Sequence, residues 1–248
     1  MDILIDIGNT NTSIALAEGK KIVKRYFIRT SREKVSSRSL KRLFGKNIEA
    51  IDKALIVSVV PGFLRILKKN IKIALPKAKV RIVGKDIKVP IKNNYRIPGQ
   101  VGQDRLVAAF AAKKLLGTPV VSIDFGTAVT FDCVNRKGEY EGGLIFPGLR
   151  ISLSSLIDEA ALLPRVDIKP TTGLVGQDTK SSINNGTLYG YAAMCDGLIE
   201  KLRKKYGSDL KVVATGGDAA LVSRYSHHIK KIEQDLIFHG LSTLIQST

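Results

Sequence analysis

Two stretches of this chain, ILIDIGNTNTSIAL at residues 3–16 and VSIDFGTAVTFDCV at 121–134, are near copies of one another. Each is an apolar run, then Asp, then a glycine-containing polar turn, then a second apolar run. Asp6 and Asp124 stand 118 residues apart, and so do Gly8 and Gly126. A carboxylate and a polar turn at the end of a core strand carry a desolvation penalty, so their presence twice at matching places points to use. Two copies at this period predict a duplicated domain, not a solenoid. In both copies a third extended segment follows, KIVKRYFIRT in one and EYEGGLIFPG in the other, so each half is predicted to open with a three-stranded antiparallel meander.

The remainder of each half alternates between helix and strand patterns. ALIVSVV (54–60) leads into a helix around FLRILKKNIKIA and then KVRIVG. The helix DRLVAAFAAKKLL ends the first half near residue 117. In the second half TLYGYAAMCDGLIEKLRKKYG places Leu188, Tyr191, Ala192, Cys195, Ile199 and Leu202 on one helical face, with Gly207 at the C-terminal cap. KVVATGGD (211–218) reads as a strand ending in a glycine turn. The prediction is therefore an α/β chain of two duplicated lobes, 1–117 and 118–248, with an interlobe cleft suited to a small ligand.

Composition narrows the class. With 44% hydrophobic and 25% charged residues the chain can bury a sizeable core, and no apolar run approaches the roughly 20 residues of a membrane span. It begins directly in a strand-like pattern without the features of a signal peptide, so a cytoplasmic protein is expected. Cys133 and Cys195 lie in apolar stretches and read as buried small hydrophobes. The net charge of +18 is uneven: residues 1–100 hold 23 Lys/Arg against 7 Asp/Glu, and the rest hold 17 against 15. A basic half is one footprint of nucleic-acid binding. Here the basic residues are scattered among apolar ones through KKIVKRYFIRTSREK and LRILKKNIKIALPKAKVR, which favours a solvated face.

The polar turns suit a phosphate clamp. Gly8 and Gly126 let backbone approach a ligand, and Thr10, Asn11, Thr12 and Thr127 add donors. The TGGD turn (215–218) would let a nucleoside approach by the same absence of side chains. Asp6 and Asp124 would repel phosphate unless a cation lies between. One such turn alone is also an ordinary hairpin; two at corresponding places favour a nucleotide clamp for phosphoryl transfer. Neither a P-loop nor a G-x-G-x-x-G motif is present. Between the halves, NNYRIPGQVGQDRLVAAF puts Asp104 and Arg105 at a helix start. Asp104 is there a helix cap or a base, and Arg105 would suit an acceptor carrying a carboxylate.

DIGNTNTS (6–13), PGQVGQDR (98–105), DFGTAVTFD (124–132), GGLIFPG (142–148), LPRVD (163–167) and ATGGDAAL (214–221), in that order and with DLIFHGL near the end, resemble the type III pantothenate kinases. The resemblance implies two ribonuclease-H-like lobes of the acetate-kinase, sugar-kinase and actin superfamily, and transfer of the γ-phosphoryl of ATP to the hydroxyl of pantothenate. By the same resemblance Asp6, Ile7, Gly8, Asn9, Thr10, Asn11, Thr12 and Ser13 bind ATP, with Thr127 and with Asp6 holding Mg²⁺ through water. Asp104 is the base, and Tyr95, Gly102, Gln103 and Arg105 bind pantothenate. Asp124 coordinates a monovalent cation, K⁺ or NH₄⁺, and Thr179 reaches pantothenate across the interface of a homodimer. Gln103 stands where alanine is frequent, and Val129 where threonine is. The alternative carried with this is a catalytically weak member acting as a transcription accessory factor through the basic half.

Overall fold

The structure, a computed structural model, describes residues 1–30 and 35–247. Arg32 and Lys34 of the basic run, and Thr248, lie outside the described residues.

The first meander is β1 (Asp2–Ile7), β2 (Asn11–Glu18) and β3 (Lys21–Arg29). After α1 (Ser37–Phe44) the chain adds β4 (Lys53–Ser58) parallel to β1, then α2 (Pro61–Ala74) and β5 (Lys79–Ile82) parallel to β4. The sheet order is β3-β2-β1-β4-β5. Helix α3 (Gln103–Leu116) follows the loop that carries Asp104. The second meander, β6 (Val120–Phe125), β7 (Ala128–Val134) and β8 (Tyr140–Pro147), precedes α4 (Leu149–Glu159) and α5 (Thr179–Tyr206). β9 (Lys211–Thr215) then pairs parallel with β6, giving the order β8-β7-β6-β9, and α6 (Ala219–Val222) and α7 (Leu236–Gln246) close the chain.

The duplication is explicit in this topology: β6-β7-β8-β9 repeats β1-β2-β3-β4 with the same pairings. Register repeats as well. Asp6 lies opposite Ser13 on β2 and beside Val57 on β4, while Asp124 lies opposite Thr130 on β7 and beside Thr215 on β9. Each unit is a ribonuclease-H-like α/β fold, as the resemblance implied.

The middle of β1, Ile3 to Ile5, is apolar and buried because helices cover both faces of the strand. Ile3, Ile5 and Ile7 pack with Leu40 and Phe44 of α1 and Phe63, Leu67 and Ile71 of α2. Leu4 faces the other way, into a cluster with Val107 and Phe110 of α3 and Phe238, Leu241, Leu244 and Ile245 of α7. In the second unit Val121, Ile123 and Phe125 meet Ala192, Cys195 and Ile199 of α5. Both cysteines are buried, and burial pushes each thiol up to about 12.

Contacts divide the chain into one unit of residues 1–91, 96–111 and 235–248, and another of 92–95 and 112–234. The expected division between 117 and 118 differs from this in three places. It cuts after α3, whereas the units part within that helix. It assigns α7 to the second half, whereas the apolar face of α7 covers β1 and β4, anchored by an ion pair between Arg25 and Asp235. It leaves 92–95 with the first half, whereas Asn93 bridges to Tyr140 at the start of β8.

Candidate active site

In the first unit, β1 delivers Asp6 to the end of the strand, and the 8–11 turn follows at once. The turn is closed by Gly8 N–H donating to the Asn11 carbonyl at 3.0 Å. Thr30 braces it from just past β3, donating its hydroxyl to the Gly8 carbonyl at 2.8 Å and its N–H to the Thr10 carbonyl at 3.0 Å. Asn9, Thr10 and Asn11 are exposed, and Asp6, Gly8 and Ser13 are partly so. Ile7 and Thr12 are fully buried, Thr12 with its hydroxyl 3.0 Å from that of Thr30, so these two support the turn from within.

The Asp104 loop meets the same end of the sheet. Val59, just past β4, donates its N–H to the Ile7 carbonyl at 3.1 Å, and its side chain flanks Gly102. A Cβ on Gly102 would stand 3.6 Å from Val59 Cγ1 and only 2.4 Å from Asp104 Oδ1. The missing side chain is therefore what admits the Asp104 carboxylate. That carboxylate accepts the Arg105 N–H at 2.9 Å at the opening of α3. Burial raises its pKa above the ordinary carboxylate value, outweighing the backbone donor and the charge of Arg105. The side chain of Gln103 lies over a second bare position, since a Cβ on Gly84 would stand 2.7 Å from its Cδ.

In the second unit Asp124 occupies the place equivalent to Asp6, and here too neighbouring side chains are missing. A Cβ on Gly216 would fall 2.4 Å from Asp124 Oδ1, and one on Gly126 3.4 Å from the same oxygen. Gly216 has φ +92, a conformation that glycine adopts without strain. The turn at Thr127 is closed over by Gly148 at the start of α4, whose N–H donates to the Thr127 carbonyl at 3.0 Å. A Cβ there would come within 2.5 Å of the Gly126 and Thr127 carbonyl oxygens. Gly148 and Gly216 stand in the motifs GGLIFPG and ATGGDAAL, yet sequence reasoning missed the part they play. The glycine turn was expected to approach a nucleoside, and the close neighbour of Gly216 is Asp124.

Tyr95 belongs to the second unit, with its ring against Gly142 of β8, whereas Gly102, Gln103 and Arg105 belong to the first. Thr179 is the first residue of α5 and is exposed. It follows Asp178, which caps the helix by accepting the Ser181 N–H at 3.0 Å, a capping box that fixes this helix start. Thr179 borders a groove of about 930 Å³ lined also by Phe146, Gly186, Gly190, Tyr191 and Met194. Among the described residues no helix is long and apolar enough to cross a membrane.

The family model for type III pantothenate kinase matches residues 3–201. A type III pantothenate kinase of Syntrophotalea carbinolica is 37% identical over 250 residues, covering 98% of each chain. One from Persephonella marina is 38% identical over 240 residues, covering 94% of this chain and 91% of its own. Among solved structures, a conserved putative Baf family transcriptional activator from Campylobacter jejuni superposes with a TM-score of 0.61 at 21% identity, covering 99% of this chain and 98% of that one; at that identity the likeness speaks for the fold. With matching motifs, matching duplicated topology and relatives alike over nearly their whole length, the chain belongs to the type III pantothenate kinase family.

Proposed function

We propose that the chain is an ATP-dependent pantothenate kinase of the cytoplasm in which Asp104 takes the proton of the acceptor hydroxyl as the γ-phosphoryl arrives, giving 4'-phosphopantothenate. The observation that carries this assignment is the Asp104 carboxylate, largely buried at a helix start and given room by Gly102. Burial makes it a stronger proton acceptor than an exposed aspartate. The transition state of phosphoryl transfer is loose, so the greater service of such a group is to hold the hydroxyl in line. Arg105 beside it suits the pantothenate carboxylate, and Gln103, lying over Gly84, lines the same loop.

The turn from Asp6 to Ser13, with Thr127, binds the ATP phosphates. Ile7 and Thr12 shape the turn from within, and Asn9, Thr10, Asn11 and Ser13 reach the phosphates. A lone carboxylate beside hydroxyl groups fits Mg²⁺, which keeps waters and phosphate oxygens as its other ligands, so Asp6 would hold it through water. Asp124 would hold K⁺ or NH₄⁺. An unscreened carboxylate about 4 Å from a phosphate charge costs on the order of 4 kcal/mol at the effective dielectric of a protein surface; a bound cation reverses that sign. The residues fit a cation because Gly216, having no side chain, leaves the Asp124 carboxylate its place at the strand end, where it is a hard oxygen donor.

A homodimer fits the groove along α5. Gly186 and Gly190 are one helical turn apart with open space where their Cβ atoms would be, while Leu162 is 96% and Val175 81% exposed. Apolar surface of this kind beside a shallow helix face suits a second copy, and Thr179 at its border would then serve the partner's acceptor.

Asp104→Asn should lower kcat by about 10²–10⁴-fold with little change in ATP binding, and wild-type turnover would remove Asp104 from its role. Because the folded state binds the Asp104 proton more tightly than the unfolded chain, stability from this group is present at low pH and lost as pH rises through the folded pKa. The Asn variant should therefore melt higher than wild type at neutral pH, the gap closing toward pH 3.8; a gap that stays constant with pH would contradict the burial effect. Gly216→Ala should weaken activation by potassium over sodium about 10-fold or more, with the thermal melt as control, and unchanged potassium dependence would detach Asp124 from the cation. Sedimentation should return twice the 27.0 kDa chain mass; a monomer at assay concentration would leave Thr179 without a partner.

A further inference from the structure

The segment 92–95 is tied to the edge of the second sheet by a single parallel bridge between Asn93 and Tyr140. Tyr140 N–H donates to the Lys92 carbonyl at 2.8 Å and Asn94 N–H to the Tyr140 carbonyl at 2.8 Å. The point of attachment is rigid: Tyr140 is fully buried, and its hydroxyl donates to Asp132 at 2.9 Å. Glu139, one residue earlier, ties the side chains together. Its Oε1 accepts from Lys92 Nζ at 2.8 Å, and its Oε2 from Asn94 Nδ2 at 2.8 Å and Asn135 Nδ2 at 3.3 Å. Its own N–H donates to Asn135 Oδ1 at 3.0 Å. Although it sits at the surface next to β8, the Glu139 side chain is only 18% exposed.

The next residue along the clipped segment is Tyr95. Its N–H donates to Asn93 Oδ1 at 3.0 Å, and its ring lies on Gly142, where a Cβ would come within 3.0 Å of Cδ2 and Cε2. Gly142 has φ +114, so both its backbone and the ring above it disfavour a side chain. We infer that Glu139 is a positioning residue for the acceptor subsite: it clips 92–94 to β8 and so sets the Tyr95 ring on Gly142. The inference rests on the reading that Tyr95 contacts pantothenate. The donors gathered by Glu139, Lys92 first, hold its carboxyl down to about 2, so the clip stays an acceptor throughout the working pH range. A positioning group acts on acceptor binding, which separates it from a residue that only stabilises the fold.

The chain contains no tryptophan, so Tyr95→Trp creates a single reporter at this place. In that background Glu139→Ala should shift the emission to longer wavelength and increase quenching by acrylamide. In the otherwise unaltered enzyme Glu139→Ala should raise KM for pantothenate about 10-fold with kcat and KM for ATP within about twofold. Glu139→Gln should restore most of the affinity, since its amide oxygen can still accept from Asn94 and Asn135. Asn94→Ala should reproduce part of the effect if the Glu139 variant folds poorly. Unchanged emission and unchanged KM in both variants overturn the clip. A shifted emission with unchanged KM, when Tyr95→Ala also leaves KM unchanged, overturns instead the reading of Tyr95 as an acceptor contact. An equal loss in kcat and in both KM values, unrescued by Gln, reduces Glu139 to a structural role and overturns the inference.

Discussion

Bare backbone beside a carboxylate is the constraint on which the candidate site depends. Asp104 has room because Gly102 lacks a side chain, and Asp124 because Gly216 does. In each case the Cβ would sit 2.4 Å from a carboxylate oxygen, closer than any van der Waals contact permits, so the residue must be glycine or the carboxylate must move. A carboxylate displaced by even an ångström loses most of its value as a positioning group. The rest of the architecture serves to bring such pairs together: parallel β1 and β4 align Ile7 with Val59 next to Gly102, and parallel β6 and β9 align Asp124 with the turn after Thr215.

The duplication sets two similar turns in different surroundings. Asp6 and Asp124 share a register, each opposite a hydroxyl residue on the second strand of its meander. Their surroundings differ at the end of the neighbouring parallel strand. Past β4 comes Val59 and then the Pro61 start of α2, while past β9 comes a glycine in the left-handed region that tucks against Asp124. On the proposed function, these different neighbours go with different ions, a hydrated divalent one at Asp6 and a monovalent one at Asp124.

Much of this was legible from residues alone. The strand–Asp–Gly–strand repeat encoded the meanders and both turns, because short apolar runs bounded by polar glycine turns are too short for helices and read as buried strands. The stripe Leu188, Ala192, Cys195 and Ile199 gave the buried face of α5, but its first two turns were missed: Ser181, Ser182, Asn184, Asn185 and Gly186 are weak helix formers, and the signal was the Asp178–Ser181 capping box. α7 was invisible as a member of the first unit, since its packing on β1 is a contact across the whole chain length. Tyr95 and Asp104, nine residues apart, fall in different units for a similar reason: a sheet edge captured one and a helix start the other. The basic excess of the first half matches a solvated surface, for α1 and α2 bury Leu40, Phe44, Phe63, Leu67 and Ile71 while Arg38, Lys41, Arg42, Arg65, Lys69 and Lys72 face outward.

The central claim is that these residues move a phosphoryl group from ATP to an alcohol on pantothenate. The most direct measurement supplies purified protein with ATP, Mg²⁺ and potassium, and follows ADP and 4'-phosphopantothenate together, with and without pantothenate. The account predicts equal amounts of the two products and no ADP when the acceptor is left out. A folded protein that releases ADP regardless of pantothenate, or that forms no phosphorylated acceptor, would contradict it.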